Sequence, residues 1–99
     1  MELKSLPLES SISTSGITVV DYYADWCGPC RMLSPILAEL SESLKFTLIK
    51  VNTENYPELA TDHDISSLPT LEFYKNGNLV ETKVGALPKT ALEKLIANL

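Results

Sequence analysis

The feature that most constrains this chain is a change of hydrophobic period in its first half. Thr18-Val19-Val20-Asp21-Tyr22-Tyr23-Ala24 is an almost unbroken apolar run of β-branched and aromatic residues, the pattern of a strand covered on both faces. From Cys30 onward Leu33, Ile36, Leu37, Leu40 and Leu44 recur at spacings of three and four, which marks one face of a helix. Phe46-Thr47-Leu48-Ile49-Lys50-Val51 then returns to a strand pattern. Strand, long helix and strand make a βαβ unit, so two strands should lie parallel and be joined by a right-handed crossover. The residues from Asp25 to Pro29 link the first strand to the helix.

The second half carries a different signal. Thr70 to Lys75 and Asn78 to Val84 are strand-like and separated by Asn76-Gly77, a pair that readily takes the positive φ angles of a type I′ hairpin turn. A short helix is expected to begin at Pro57, where proline suits the first helical position, and to fade near Asp62 to Asp64. Leu92, Leu95, Ile96 and Leu99 stand at helical spacing behind Pro88, again read as a first-turn proline. Before Gly16, Leu3 to Leu6 suggest an edge strand, and the serine-rich stretch Ser10 to Ser15 has weak helix propensity. Together these make an α/β architecture, an open mixed sheet with helices on both faces.

With 99 residues, 44% of them hydrophobic, the chain can bury one core but cannot divide it, so residues 1–99 are expected to form a single domain. A formal charge of −5 argues against a phosphate backbone as partner, and no nucleic acid is expected. Apolar runs such as Ile17 to Val20 fall far short of the roughly 20 residues a membrane helix needs, so no membrane span is expected either. The start Met1-Glu2-Leu3-Lys4 shows no basic flank followed by an apolar stretch, and so no visible secretory signal.

Cys27 and Cys30 are the only cysteines and stand three positions apart. A bridge across so small a loop removes little entropy from the unfolded chain and cannot staple a fold. Their place matters more than their spacing. At a helix N-terminus the unsatisfied N–H groups and the helix dipole stabilise a thiolate and lower a thiol's pKa. Cys27 gains most from this. Cys30, one turn into the helix and better shielded, suits the second step, in which a mixed disulfide on Cys27 is resolved. Two other readings are open at this point. A CxxC pair can be half of a zinc site, although a closed site needs four ligands and only His63 is on hand besides these two. It can also be a pair of inert core cysteines. His63 lies outside every motif and is read as a surface helix residue.

Trp26-Cys27-Gly28-Pro29-Cys30, Val20-Asp21 before it, Pro35 after it, Lys50, Leu68-Pro69-Thr70, Lys75-Asn76-Gly77 and Lys83-Val84-Gly85-Ala86-Leu87 resemble the thioredoxin family in order and approximate spacing, from about Gly16 to the C-terminus. The resemblance implies the thioredoxin fold, a central five-stranded mixed sheet flanked by about four helices. It implies that Asp21 is the buried carboxylate that accepts and returns the proton of Cys30. Burial of an Asp in an apolar strand raises its pKa and supports that role; a hydrogen-bonded core Asp is the alternative. Lys50 resembles the lysine near that carboxylate, against the alternative of a solvated strand-end lysine. Pro69 resembles the family's cis-proline facing the sulfurs, beside which the Leu68 backbone would pair with an extended substrate segment. Trp26, Gly28, Pro29, Leu68, Gly85 and Ala86 resemble the docking surface, with a partly buried packing aromatic as the alternative for Trp26. Pro35 resembles the proline that kinks the long helix, as its missing N–H also predicts.

Two departures stand near the motif: Tyr23 where many family members carry tryptophan, and Ser67 where glycine is common. The segment before Cys27 and the loop near Ser43 to Phe46 also look a few residues short, which predicts a reduced first helix. The activity implied is reduction of disulfides in target proteins without a bound cofactor or metal, by a cytoplasmic monomer re-reduced by a thioredoxin reductase from NADPH or ferredoxin. Two rivals are a thioredoxin-fold oxidant or isomerase, which family experience associates with histidine inside the CxxC pair, and a redox-independent binding module.

Overall fold

A computed structural model describes residues 1–99. Strand β1 (Ile17–Tyr23) is followed by α1 (Gly28–Ser43), β2 (Thr47–Asn52), α2 (Pro57–Asp62), the hairpin β3 (Thr70–Lys75) and β4 (Asn78–Val84), and α3 (Lys89–Ala97). The sheet order is β2-β1-β3-β4. β1 pairs parallel with β2, setting Asp21 opposite Lys50, and antiparallel with β3, setting Asp21 opposite Leu71. The βαβ unit and the hairpin are thus both present. Asn76 and Gly77 have φ of 53° and 88°, the two positive angles that a type I′ turn needs.

The sheet has four strands, not the five expected, and there are three α-helices rather than about four. The N-terminal segment forms a single parallel bridge between Glu2 and Lys50, with Leu3 N–H donating to the Lys50 carbonyl and Lys50 N–H to that of Met1, each at 2.8 Å. It goes no further because Pro7 has no N–H to donate and the serines that follow favour turns. The chain turns instead through a cis Leu6–Pro7 bond and a 3-10 turn over Leu8–Ser11. That turn is what remains of a first helix. α1 begins at Gly28, two residues before the apolar periodicity does, and Pro88 caps α3 rather than occupying its first position.

Alternation along the strands builds two cores. Val19, Leu71 and Phe73 face α1 and α3, where Leu33, Leu37, Leu40, Leu92 and Ile96 close the larger one. Val20, Tyr22, Ile49, Val51 and Tyr74 face the other way, against Leu3, Leu8 and Leu59. Each fully buried leucine contributes about 1.5–3 kcal/mol of transfer free energy. No helix is long and apolar enough to cross a membrane.

Candidate redox-active site

β1 delivers the chain to the site. After buried Ala24 the backbone turns, with Cys27 N–H donating to the Ala24 carbonyl at 3.1 Å. Cys27 is the N-cap of α1, in extended conformation, and its Sγ accepts the N–H of Cys30 at 3.2 Å. A sulfur therefore takes the place of the capping oxygen found at many helix starts. Pro29 falls in the first turn, where its missing N–H would have had no helical partner. The Cα atoms of Cys27 and Cys30 are 5.3 Å apart and the two are joined as a disulfide. The expected difference in shielding is small: in the disulfide Cys27 is 4% and Cys30 3% exposed.

Asp21 lies on the α1 face of the sheet, 1% exposed, and neither carboxylate oxygen has a hydrogen-bond partner. Burial pushes its pKa from 3.8 up to about 7; the Lys50 charge opposes the rise and Glu2 adds to it. Lys50, though opposite Asp21 in register, is neither a free strand-end lysine nor ion-paired with the carboxylate. Its ammonium donates to the Ser34 hydroxyl at 2.7 Å and lies 4.6 Å from the centre of the Tyr23 ring. Cys30, Ser34, Lys50 and Tyr23 line one open pocket of about 490 Å³. Ser34 escaped the sequence reading, although its position one helical turn beyond Cys30 was a usable signal.

The Leu68–Pro69 bond is cis and Pro69 is buried, its carbonyl accepting the N–H of Gly85 at 2.8 Å. Gly85 has φ of +93°, a conformation that costs glycine little. Trp26 is 69% exposed. It shares a groove of about 400 Å³ with Leu68, Ile65, Ser66 and Ser67. Pro29 and Ala86 line a separate, more apolar groove of about 300 Å³ with Met32, Ile36 and Leu87. Of the predicted docking residues, Trp26 and Leu68 thus line one groove and Pro29 and Ala86 the other, while Gly28, which opens α1, and Gly85 line neither. α1 passes through Pro35 without a break.

His63 is not a surface helix residue. It caps the C-terminus of α2 and its Nδ1 lies 2.9 Å from Glu72 Oε2, with the ring 5.7 Å from that of Tyr22. No local pattern announced this, since its partner lies nine residues away on β3.

A cysteine pair at a strand-to-helix junction, with the first sulfur capping the helix and a second cysteine in bonding reach, defines a dithiol–disulfide oxidoreductase. The thioredoxin family model matches residues 2–98. The chain is 37% identical to the thioredoxin of Mycoplasmoides gallisepticum over 90 residues, 90% of each chain, and 46% identical over 87 residues to thioredoxin 1 of Synechococcus elongatus, 86% of this chain and 78% of that one. The structure of a singly substituted thioredoxin from Halobacterium salinarum superposes with a TM-score of 0.91 at 31% identity, covering 99% of this chain and 88% of the other. The chain belongs to the thioredoxin family, whose activity is protein-disulfide reduction.

Proposed function

We propose that this chain, as one domain over residues 1–99, reduces disulfides in target proteins in the cytoplasm, acts as a monomer without a bound cofactor, and is re-reduced by a thioredoxin reductase. The Cys27 thiolate attacks one sulfur of the target disulfide; a mixed disulfide forms and the other target sulfur leaves as a thiolate that takes up a proton. Asp21 then accepts the Cys30 proton. The Cys30 thiolate attacks Cys27 Sγ, forming the Cys27–Cys30 disulfide and releasing the second target sulfur as a thiolate that takes up the proton held by Asp21. Two electrons pass to the target and the protein ends oxidised.

The observation that carries this reading is the capping position of Cys27, whose Sγ already accepts a backbone N–H; the same donor would stabilise a thiolate there. An unpartnered carboxylate on the α1 face supports Asp21 as the proton acceptor, and the Lys50 charge lowers its pKa towards the working range. Exposed Trp26, the groove it shares with Leu68 and the apolar groove of Pro29 and Ala86 support a docking surface made by Trp26, Gly28, Pro29, Leu68, Gly85 and Ala86, with target backbone laid beside Leu68 and Pro69.

The decisive test is the reduction potential of the Cys27–Cys30 pair, equilibrated against thiol buffers and followed by Trp26 fluorescence. A value near roughly −270 mV is expected of a reductase; one above about −200 mV would assign the protein to the isomerases and oxidants.

A further inference from the structure

We propose that Ser34 is a positioning residue of the proton-transfer site: its hydroxyl holds the Lys50 ammonium on the α1 side of the pocket and so denies the Asp21 carboxylate an ion pair. The inference deepens the reading above, resting on Asp21 as the proton acceptor for Cys30.

The geometry supports it from both ends. Asp21 and Lys50 are direct neighbours across β1 and β2, side by side on one face, where an aspartate and a lysine would ordinarily pair. They do not: the lysine–carboxylate ion pair of this chain is Lys89–Glu39, and neither Asp21 oxygen has a partner. The Lys50 ammonium has Ser34 Oγ as its hydrogen-bond acceptor, at 2.7 Å, and the face of Tyr23 at its side. Tyr23 is itself tethered, its hydroxyl donating to Glu2 Oε2 at 2.6 Å. Asp21 is left with two buried oxygens and no donor. Ser34 comes from α1 at the position one turn beyond Cys30, so the helix that carries the resolving cysteine also carries the residue that anchors the lysine.

The titratable and charged groups around Asp21 are few. β2 contributes Lys50, the N-terminal segment Glu2, and β1 Tyr23; Asp25 and Arg31 line the same pocket as Lys50. β3 presents Leu71 opposite Asp21, and α1 presents Cys30 and Ser34. Lys50 is therefore the one cation whose position strongly governs the carboxylate. Released from Ser34, it is expected to turn to Asp21, its neighbour in register, and a new ion pair there would lower the Asp21 titration midpoint by about one unit.

The experiment is a carbon-13 NMR titration of the Asp21 carboxyl in the oxidised protein, where neither cysteine titrates and no turnover is needed. Ser34→Ala should move the midpoint down by about one unit, and Ser34→Thr, which restores a hydroxyl, should return it. In a Lys50→Met background Ser34→Ala should leave the midpoint where that background sets it. An unchanged or raised midpoint in Ser34→Ala, or the same fall without Lys50, would overturn the proposal. Because the readout is equilibrium protonation of the disulfide form, it stands or falls separately from the reductase activity, which the reduction potential tests.

Discussion

Two acidic side chains are buried in one small sheet, one on each face, and their surroundings are opposite. Glu72, 3% exposed, is fully engaged: Oε1 accepts the hydroxyls of Tyr22 at 2.8 Å and Tyr74 at 2.9 Å, and Oε2 lies 2.9 Å from His63 Nδ1. Asp21, 1% exposed, has no partner at all. Burial is the same; satisfaction differs. A carboxylate with three partners around it knits β1, β3 and the end of α2 together. One with none is destabilised when charged, which makes it ready to bind a proton near neutral pH. The same contrast shows in the tyrosines, since burial first and then Glu72 push the hydroxyl pKa values of Tyr22 and Tyr74 upward and keep both as donors.

The sharpest way to break the comparison is to remove the engaged carboxylate. Glu72→Ala leaves two tyrosine hydroxyls and His63 without their acceptor, and should cost about 5 kcal/mol in urea unfolding, about a third or more of the stability of a domain this size.

Asp21→Asn should do the reverse. A carboxyl whose pKa rises from 3.8 unfolded to about 7 folded binds its proton more tightly in the folded state, so stability falls as pH rises between those values and the full cost stands above about pH 7. The variant should therefore gain about 4 kcal/mol at pH 8, with the gain fading to nothing below about pH 4. The same substitution should slow resolution of the mixed disulfide by on the order of 100-fold, measured by stopped-flow Trp26 fluorescence. A loss of stability in Asp21→Asn would erase the distinction drawn here.

Smaller changes on the Glu72 side sharpen it. His63→Ala removes one of three partners and should cost about 2 kcal/mol while leaving the resolution rate within about twofold of the parent. Tyr22→Phe takes away a single donor and should cost about 1 kcal/mol, again without effect on rate. A rate defect in either variant would mean that the two faces of the sheet are coupled.

Much of this architecture was legible beforehand, for local reasons. The hairpin over Thr70 to Val84 matches the structure residue for residue because Asn-Gly chemistry acts over two positions. β1 is offset by one residue at each end, since its two-sided burial reads as an apolar run whose edges are soft. The fifth strand was misjudged because Leu3 to Leu6 has strand-like composition, while its pairing depends on backbone donors that Pro7 and the turn behind it interrupt. His63 was misjudged because it follows a six-residue helix too short to show a buried face.

From sequence alone came the order of elements, the helix start at the cysteine pair, the acid in the apolar strand and the turn of the hairpin, all of which depend on periodicity and on residues a few positions apart. Tertiary structure alone decided the partners. Lys50 is bound to Ser34 sixteen residues away, and Glu72 to Tyr22 at a separation of fifty. Nothing in a sequence distinguishes an aspartate that will be left without a donor from a glutamate that will gather three, because the difference lies in which side chains the sheet and its covering helices bring face to face.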